Sequence, residues 1–288
     1  MIYGLVAALG WGLADFFGAL GGRRMGSLPA VVVGQVLSVV FMTVLLVSGG
    51  HDAGLLAGAF GLLVLNGLAS MTAYASHYRA LELGPVAVVS PIGAGYAVVG
   101  VALAIVVLGE RPSGLALVGM AVTVVGSMLV STDLTALRAG LHERAPGLPW
   151  AIVSSVTFGV AGFLLARVVL ETGNWVVGLW ASRCAMIVAF LPLVILRRRD
   201  LRKFRTASLA ALAFAAAAGL ADILGVTSYS FATEEGNAVS ILLASSAVFP
   251  VIAVALSMAV LKERLALNQL VGVACVVGGL LLLGFGTR

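Results

Sequence analysis

An all-α membrane protein of ten transmembrane helices, built as two inverted five-helix repeats, is the fold class this sequence predicts. Three observations carry that prediction. The chain is 61% hydrophobic and only 10% charged over 288 residues, whereas soluble domains run at about 45–50% apolar and about 25% charged. Its apolar residues gather into ten runs, each near the length a helix needs to cross a bilayer. The second half repeats the first in the same five-run frame.

The runs are 2–20, 28–48, 54–79, 85–108, 113–131, 149–170, 174–196, 206–231, 236–260 and 266–285. Turn and charge signals separate them: GGRRMG, GGHD, LELGP, GERPS, ETGN, RRRDLRKFR, EEGN and LKERL. The first run is not expected to be a cleaved leader, because it lacks a basic start and a small-residue cleavage site and carries Asp15 in its middle. The longest break, 132–148, is polar, contains Pro146 and reads as a linker between units 1–131 and 149–288. So little chain lies outside the runs that function is expected within the bilayer. The net charge of +5 is read as loop arginines rather than a nucleic-acid surface. Cys184 and Cys275 sit within apolar runs and show no metal-ligand spacing.

Duplication shows on sliding the chain by 153 residues. LGER at 108–111 then falls on LKER at 261–264, Leu117-Val118-Gly119 on Leu270-Val271-Gly272, and Gly126 on Gly279. With small gaps Glu82 meets Glu234 and Gly84 meets Gly236; Gly12, Ala14 and Phe16 meet Gly159, Ala161 and Phe163. Each copy has an odd number of spans, so the second enters the membrane upside down. Inverted repeats with a solute site at mid-membrane characterise secondary transporters.

These two repeats, each with a glycine after its third helix and an E-R turn between its fourth and fifth, resemble the EamA family of the drug/metabolite transporter superfamily. FPVIAVALSMAVLKERL at 249–265 resembles the family pattern of a proline about 13 residues before the E-R, which makes Pro250 a gating or kink candidate. The matching position of the first half is Ala97, and Pro91 lies earlier, so that kink is expected to be displaced. The resemblance implies ten helices, export of amino acids or related polar metabolites, and termini in the cytoplasm. LAD at 13–15 also resembles the first helix of small multidrug resistance transporters, where a carboxylate in this register exchanges protons for cationic drugs. The stacking aromatic of those proteins would fall at Ile92, which speaks against a flat-cation site.

Charge gives the opposite orientation. Thirteen Lys and Arg residues follow odd-numbered runs, including Arg23, Arg24 and six within 197–205, against Arg111, Arg167 and Arg288 on the other side. The positive-inside rule then places both termini outside. Glu110-Arg111 and Glu263-Arg264 read as turn and capping residues that meet amides at the start of the next helix. The glycines at 119, 126, 272 and 279 read as packing positions.

Polar side chains inside apolar runs are costly and mark pathways or helix contacts. Trp11 and Asp15 share a face of the first run; Gln35 and Ser38 lie in the second; Asn66, Ser70, Tyr74 and His77 stripe the third. Trp180 and Arg183 lie in the seventh, Asp222 and Tyr229 in the eighth. The fifth and tenth runs have almost none and are expected at the periphery. We therefore expect Trp11, Asp15, Gln35, Asn66, Tyr74, His77, Trp180, Arg183, Asp222 and Tyr229 to bind substrate. A carboxyl taken out of water can load and release a proton near neutral pH, which makes Asp15 the proton-coupling candidate. Arg183 and Asp222 are expected to pair, and His77 could relay protons.

The function expected is a secondary active exporter of a small polar metabolite, in a plasma or inner membrane, working as monomer or homodimer. No phosphate-cradling loop is present, and the three histidines at 51, 77 and 142 form no nucleophile or metal set, so neither enzyme chemistry nor a cofactor is expected. A flippase for a lipid or lipid-linked precursor is the alternative, and a membrane-embedded enzyme a more distant one.

Overall fold

The computed structural model describes residues 1–56, 58–83, 92–132, 147–261 and 266–286; no strand occurs among them. The first repeat holds α1 (Ile2–Met25), α2 (Ser27–Ser48), α3 (Phe60–Leu83), α4 (Tyr96–Leu108) and α5 (Gly114–Ser131). The second holds α6 (Leu148–Thr172), α7 (Trp175–Leu196), α8 (Leu209–Glu234), α9 (Val239–Ser246), α10 (Phe249–Leu261) and α11 (Leu267–Gly286). Short 3₁₀ turns, Ala53–Leu56 and Asp200–Thr206, precede α3 and α8.

The helix ends follow from local chemistry. Ser113 and Ser208 each accept an N–H three residues on, at 3.2 Å, and so start α5 and α8. Asn174 accepts the Val176 and Val177 amides at 3.1 Å to start α7. Gly173 ends α6 at φ 58°, a left-handed conformation that a side chain would oppose.

Eight helical segments are long and apolar enough to cross a membrane; α9 and α10 count as one of them. The two runs outside that set are the third and fourth. Helix α3 carries the Asn66, Tyr74 and His77 stripe and is the less apolar for it, while the described helical stretch of the fourth is only Ile92–Leu108. Pro91, Glu263 and Arg264, and most of the expected linker (133–146), lie outside the described residues.

The two repeats meet as copies in opposite directions. Helices α5 and α11 occupy the same place in the duplication, and they pack on each other. A Cβ on Gly119 would lie 2.8 Å from the Gly279 carbonyl oxygen, and one on Gly279 would lie 2.9 Å from that of Gly119. Gly126 and Gly272 meet in the same reciprocal way, at 2.9 and 2.8 Å. Rising numbers on one helix meet falling numbers on the other, so the pair is antiparallel and self-complementary, as a twofold relation requires. Only glycine allows this approach. Asn268 and Gln269 tie one end to the Thr132 and Val130 carbonyls at 2.8 and 3.1 Å; Ser113 ties the other to Gly286 at 2.8 Å.

Both repeats interrupt their fourth helical run. Between α9 and α10 the helix is interrupted at Ala247–Val248, and Pro250 stands as the second residue of α10. Proline has no N–H to return to the preceding turn, so the start of a helix suits it. In the first repeat the turn falls at Gly95, between helical residues 92–94 and α4. Gly95 is the match of Val248 under the 153-residue offset. A turn in the first repeat thus stands in register with the break of the second, while Pro91 lies outside the described residues.

Candidate functional site

Four helices bring polar side chains together well inside their own lengths. The Arg183 guanidinium on α7 donates through Nη2 to Asp222 Oδ2 on α8 at 2.7 Å, and through Nη1 to Gln35 Oε1 on α2 at 2.9 Å. Tyr74 on α3 reaches the other Asp222 oxygen at 3.5 Å, a long contact. Arg183 and Asp222 are almost withdrawn from solvent, their side chains 7% and 14% exposed. The second helix of one repeat thus meets the second of the other, and third meets third. The network straddles the same twofold relation as the glycine seam.

Asp15 answers differently to its surroundings. It is exposed and, among the described residues, has no hydrogen-bond or ion-pair partner, yet it lies within electrostatic reach of Asp222. Its orientation follows from Trp11, one helical turn away on the same face. The Trp11 ring meets Tyr96 and Tyr229, both at 6.3 Å between centroids, so this face of α1 looks into the bundle. One guanidinium and two carboxylates therefore share the interior.

The remaining expected residues divide. Asn66 is 2% exposed and donates to the Ala161 carbonyl of α6 at 2.9 Å, which commits it to a helix contact. Tyr229 is fully buried and donates to the Gly162 carbonyl at 3.0 Å. Trp180 donates to Thr43 on α2 at 3.0 Å. His77 and Tyr74 both set their rings against Phe158, at 5.9 and 5.1 Å. The structure joins Gln35, Tyr74, Arg183 and Asp222 in one network and leaves Asn66, Trp180 and Tyr229 outside it.

Sequence reasoning passed over the residues at the helix breaks. Tyr96 donates to or accepts from Ser246 at 2.8 Å, and its ring lies 6.1 Å from Phe249. The offset of 153 places Phe249 on Tyr96, an aromatic pair that could have been noticed.

At one end of the bundle the helix termini are tied to one another. Glu110 accepts the Val239 and Ser240 amides at 2.6 and 3.0 Å and so caps α9 of the other repeat. The helix it meets is not the next one in the chain, as the turn motif suggested, because the fold brings α9 beside the α4–α5 turn. Glu234 accepts from the Trp175 amide, and Asn174 bonds His51 at 3.1 Å.

Sequence comparison now decides the family. The family model described as "EamA-like transporter family" matches residues 1–132 and again 145–285. The chain belongs to the EamA-like transporter family. It is thus a multi-pass membrane protein of the drug/metabolite transporter superfamily, whose EamA members are transporters rather than enzymes. A solved structure titled "Crystal structure of protein" is similar at a TM-score of 0.75 and 15% identity, covering 100% of this chain and 98% of that one; at this identity it speaks for the fold alone. No curated protein matches the chain.

Proposed function

We propose that this EamA-family chain is a secondary active exporter of a small polar metabolite, such as an amino acid or a related compound. It works by alternating access between two inverted repeats of five crossings each. The ten crossings are α1–α8, the broken pair α9–α10 taken as one, and α11. The observation that carries the reading is the Gln35–Arg183–Asp222–Tyr74 network, drawn from both repeats and set where they meet. Charged groups at this depth are expensive unless they do something. Inverted repeats place their solute site at such an interface.

Asp15 carries proton coupling in this reading. Among the described residues it has no bonded partner to hold it, so a proton and a solute can compete for it. The bonds of Glu110 to α9 close one end; exchange to the opposite state breaks them. The protein acts in a plasma or inner membrane, as monomer or homodimer.

The test is thermal stabilisation of the purified protein over a metabolite library, followed by pH-dependent counterflow in proteoliposomes. A stabilising solute should be moved by wild type, and Asp15→Asn should flatten the pH dependence. Transport by Asp15→Asn with unaltered pH dependence refutes the coupling; absence of any solute movement refutes the transporter reading.

A further inference from the structure

We infer that the Arg183–Asp222 pair is the ligand site occupied by itself, and that the ligand is a zwitterion. Its carboxylate replaces Asp222 on Arg183, and its cationic nitrogen replaces Arg183 on Asp222. The inference deepens the transporter reading and rests on it.

The pair has the geometry of an exchangeable contact. A carboxylate held for structure alone in a membrane interior is best met by both forks of the guanidinium, with its remaining lone pairs satisfied. Here one arginine nitrogen meets one carboxylate oxygen, at 2.7 Å. The second nitrogen is turned to a neutral amide, Gln35, and the second oxygen has the long Tyr74 contact at 3.5 Å. Arginine offers five N–H donors in a fixed fork that matches a carboxylate. Gln35 and Asp222 each take one of them and Tyr74 lies beside the same guanidinium, so the fork is divided among its neighbours where a single incoming carboxylate would engage both arms. Asp222 likewise keeps accepting capacity for an ammonium.

Partner exchange also solves a charge problem. An isolated anion or cation entering this site would leave Asp222 or Arg183 buried and unpaired, which is the costly outcome for a buried pair. A zwitterion brings one charge of each sign and leaves neither stranded. Asp15, exposed near Asp222 and without a bonded partner among the described residues, remains free for the proton. A cationic nitrogen drawn onto Asp222 then competes with the proton at Asp15 through that electrostatic reach.

The experiment uses the full chain in detergent and in proteoliposomes, with the twenty standard amino acids as probes. For every amino acid that raises the unfolding temperature, its carboxamide keeps only the positive charge and its N-acetyl derivative only the negative. The expected result is stabilisation by at least one amino acid, with both derivatives weakened about 10-fold or more. The double variant Arg183→Met with Asp222→Leu removes both charges together and should fold, since such pairs are replaceable by apolar residues of similar size. It should lose the response to the amino acid. Equal stabilisation by a singly charged derivative, an unchanged response in the folded double variant, or no response to any amino acid overturns the zwitterion assignment. If a solute of another class crosses the vesicle membrane in those cases, the transporter reading stands without it; if none crosses, both fall.

Discussion

The repeats meet in two ways, and the contrast separates scaffold from site. At the α5–α11 seam the contact is symmetric: Gly119 meets Gly279 and Gly126 meets Gly272, each pair reciprocally and at nearly equal distances. At the polar network the same relation joins unlike residues: Gln35 faces Arg183, and Tyr74 faces Asp222. After duplication, a contact that only holds the halves together has no reason to diverge. A contact that recognises a solute without twofold symmetry must diverge. The seam is made of backbone approaching backbone; the network holds the guanidinium and one of the interior carboxylates. Breaking each should have a distinct signature.

The largest effect is expected from splitting the ion pair. Arg183→Met leaves Asp222 buried with only the long Tyr74 contact of this network, and such an orphaned charge costs about 3–5 kcal/mol. The measurement is the unfolding temperature in detergent, and adding Asp222→Leu should recover most of the loss. Recovery is what distinguishes a charge stranded by its partner's removal from a simple packing defect.

The seam comes next. A Cβ on Gly279 would sit 2.5 Å from Thr123 Oγ1 and 2.6 Å from its backbone nitrogen; one on Gly126 would sit 2.7 Å from the Val276 nitrogen. These are the same place in the two repeats. Overpacking of this kind costs about 1–3 kcal/mol. Gly126→Ala and Gly279→Ala should therefore lose similar stability, whereas Gln35→Leu and Arg183→Leu should differ from each other. Unequal losses at the two glycines would break the comparison, because the seam would then not be a true twofold contact.

How much of this was legible before the fold is itself a matter of range. The duplication and the mutual need of Arg183 and Asp222 are properties of composition and order, and a sequence displays those. The rotation of each helix about its own axis is not displayed. Asn66 and Tyr229 were legible as polar residues within apolar runs, but not that each donates to a carbonyl of α6, at Ala161 and Gly162. Trp180 does the same with Thr43. The break at Gly95 was hidden because glycine, unlike proline, is common in these helices; 36 glycines carry no mark of which one interrupts a turn. Glu110 was readable as a cap, but its target, α9 of the other repeat, depends on tertiary proximity.

That cap sets a smaller effect. Glu110→Gln keeps the side-chain shape but removes the charge that faces two amides of α9. Loss of a cap typically costs about 0.5–2 kcal/mol, and retention of the amide oxygen holds the variant at the lower end. The more telling readout is accessibility. In an Asn237→Cys background, the thiol in the α8–α9 turn should react faster with an impermeant reagent when Glu110 is replaced by Gln, provided this contact closes that end. Trapping at unchanged rate would show the closure lies elsewhere, at Glu234 or Asn174.

The smallest effect on stability belongs to the residue with the sharpest proposed role. Asp15 has no bonded partner among the described residues. Removing its charge breaks no bond, so Asp15→Asn should unfold within about 0.5 kcal/mol of wild type, as unconstrained substitutions do. A modest gain is equally consistent, since a neutral amide at this position no longer repels Asp222. Set beside Arg183→Met, this separates two kinds of charge within the bundle: one that holds it and one that it leaves unmet. If Asp15→Asn instead unfolds like Arg183→Met, Asp15 is a strut, and its freedom to trade a proton for a solute is gone.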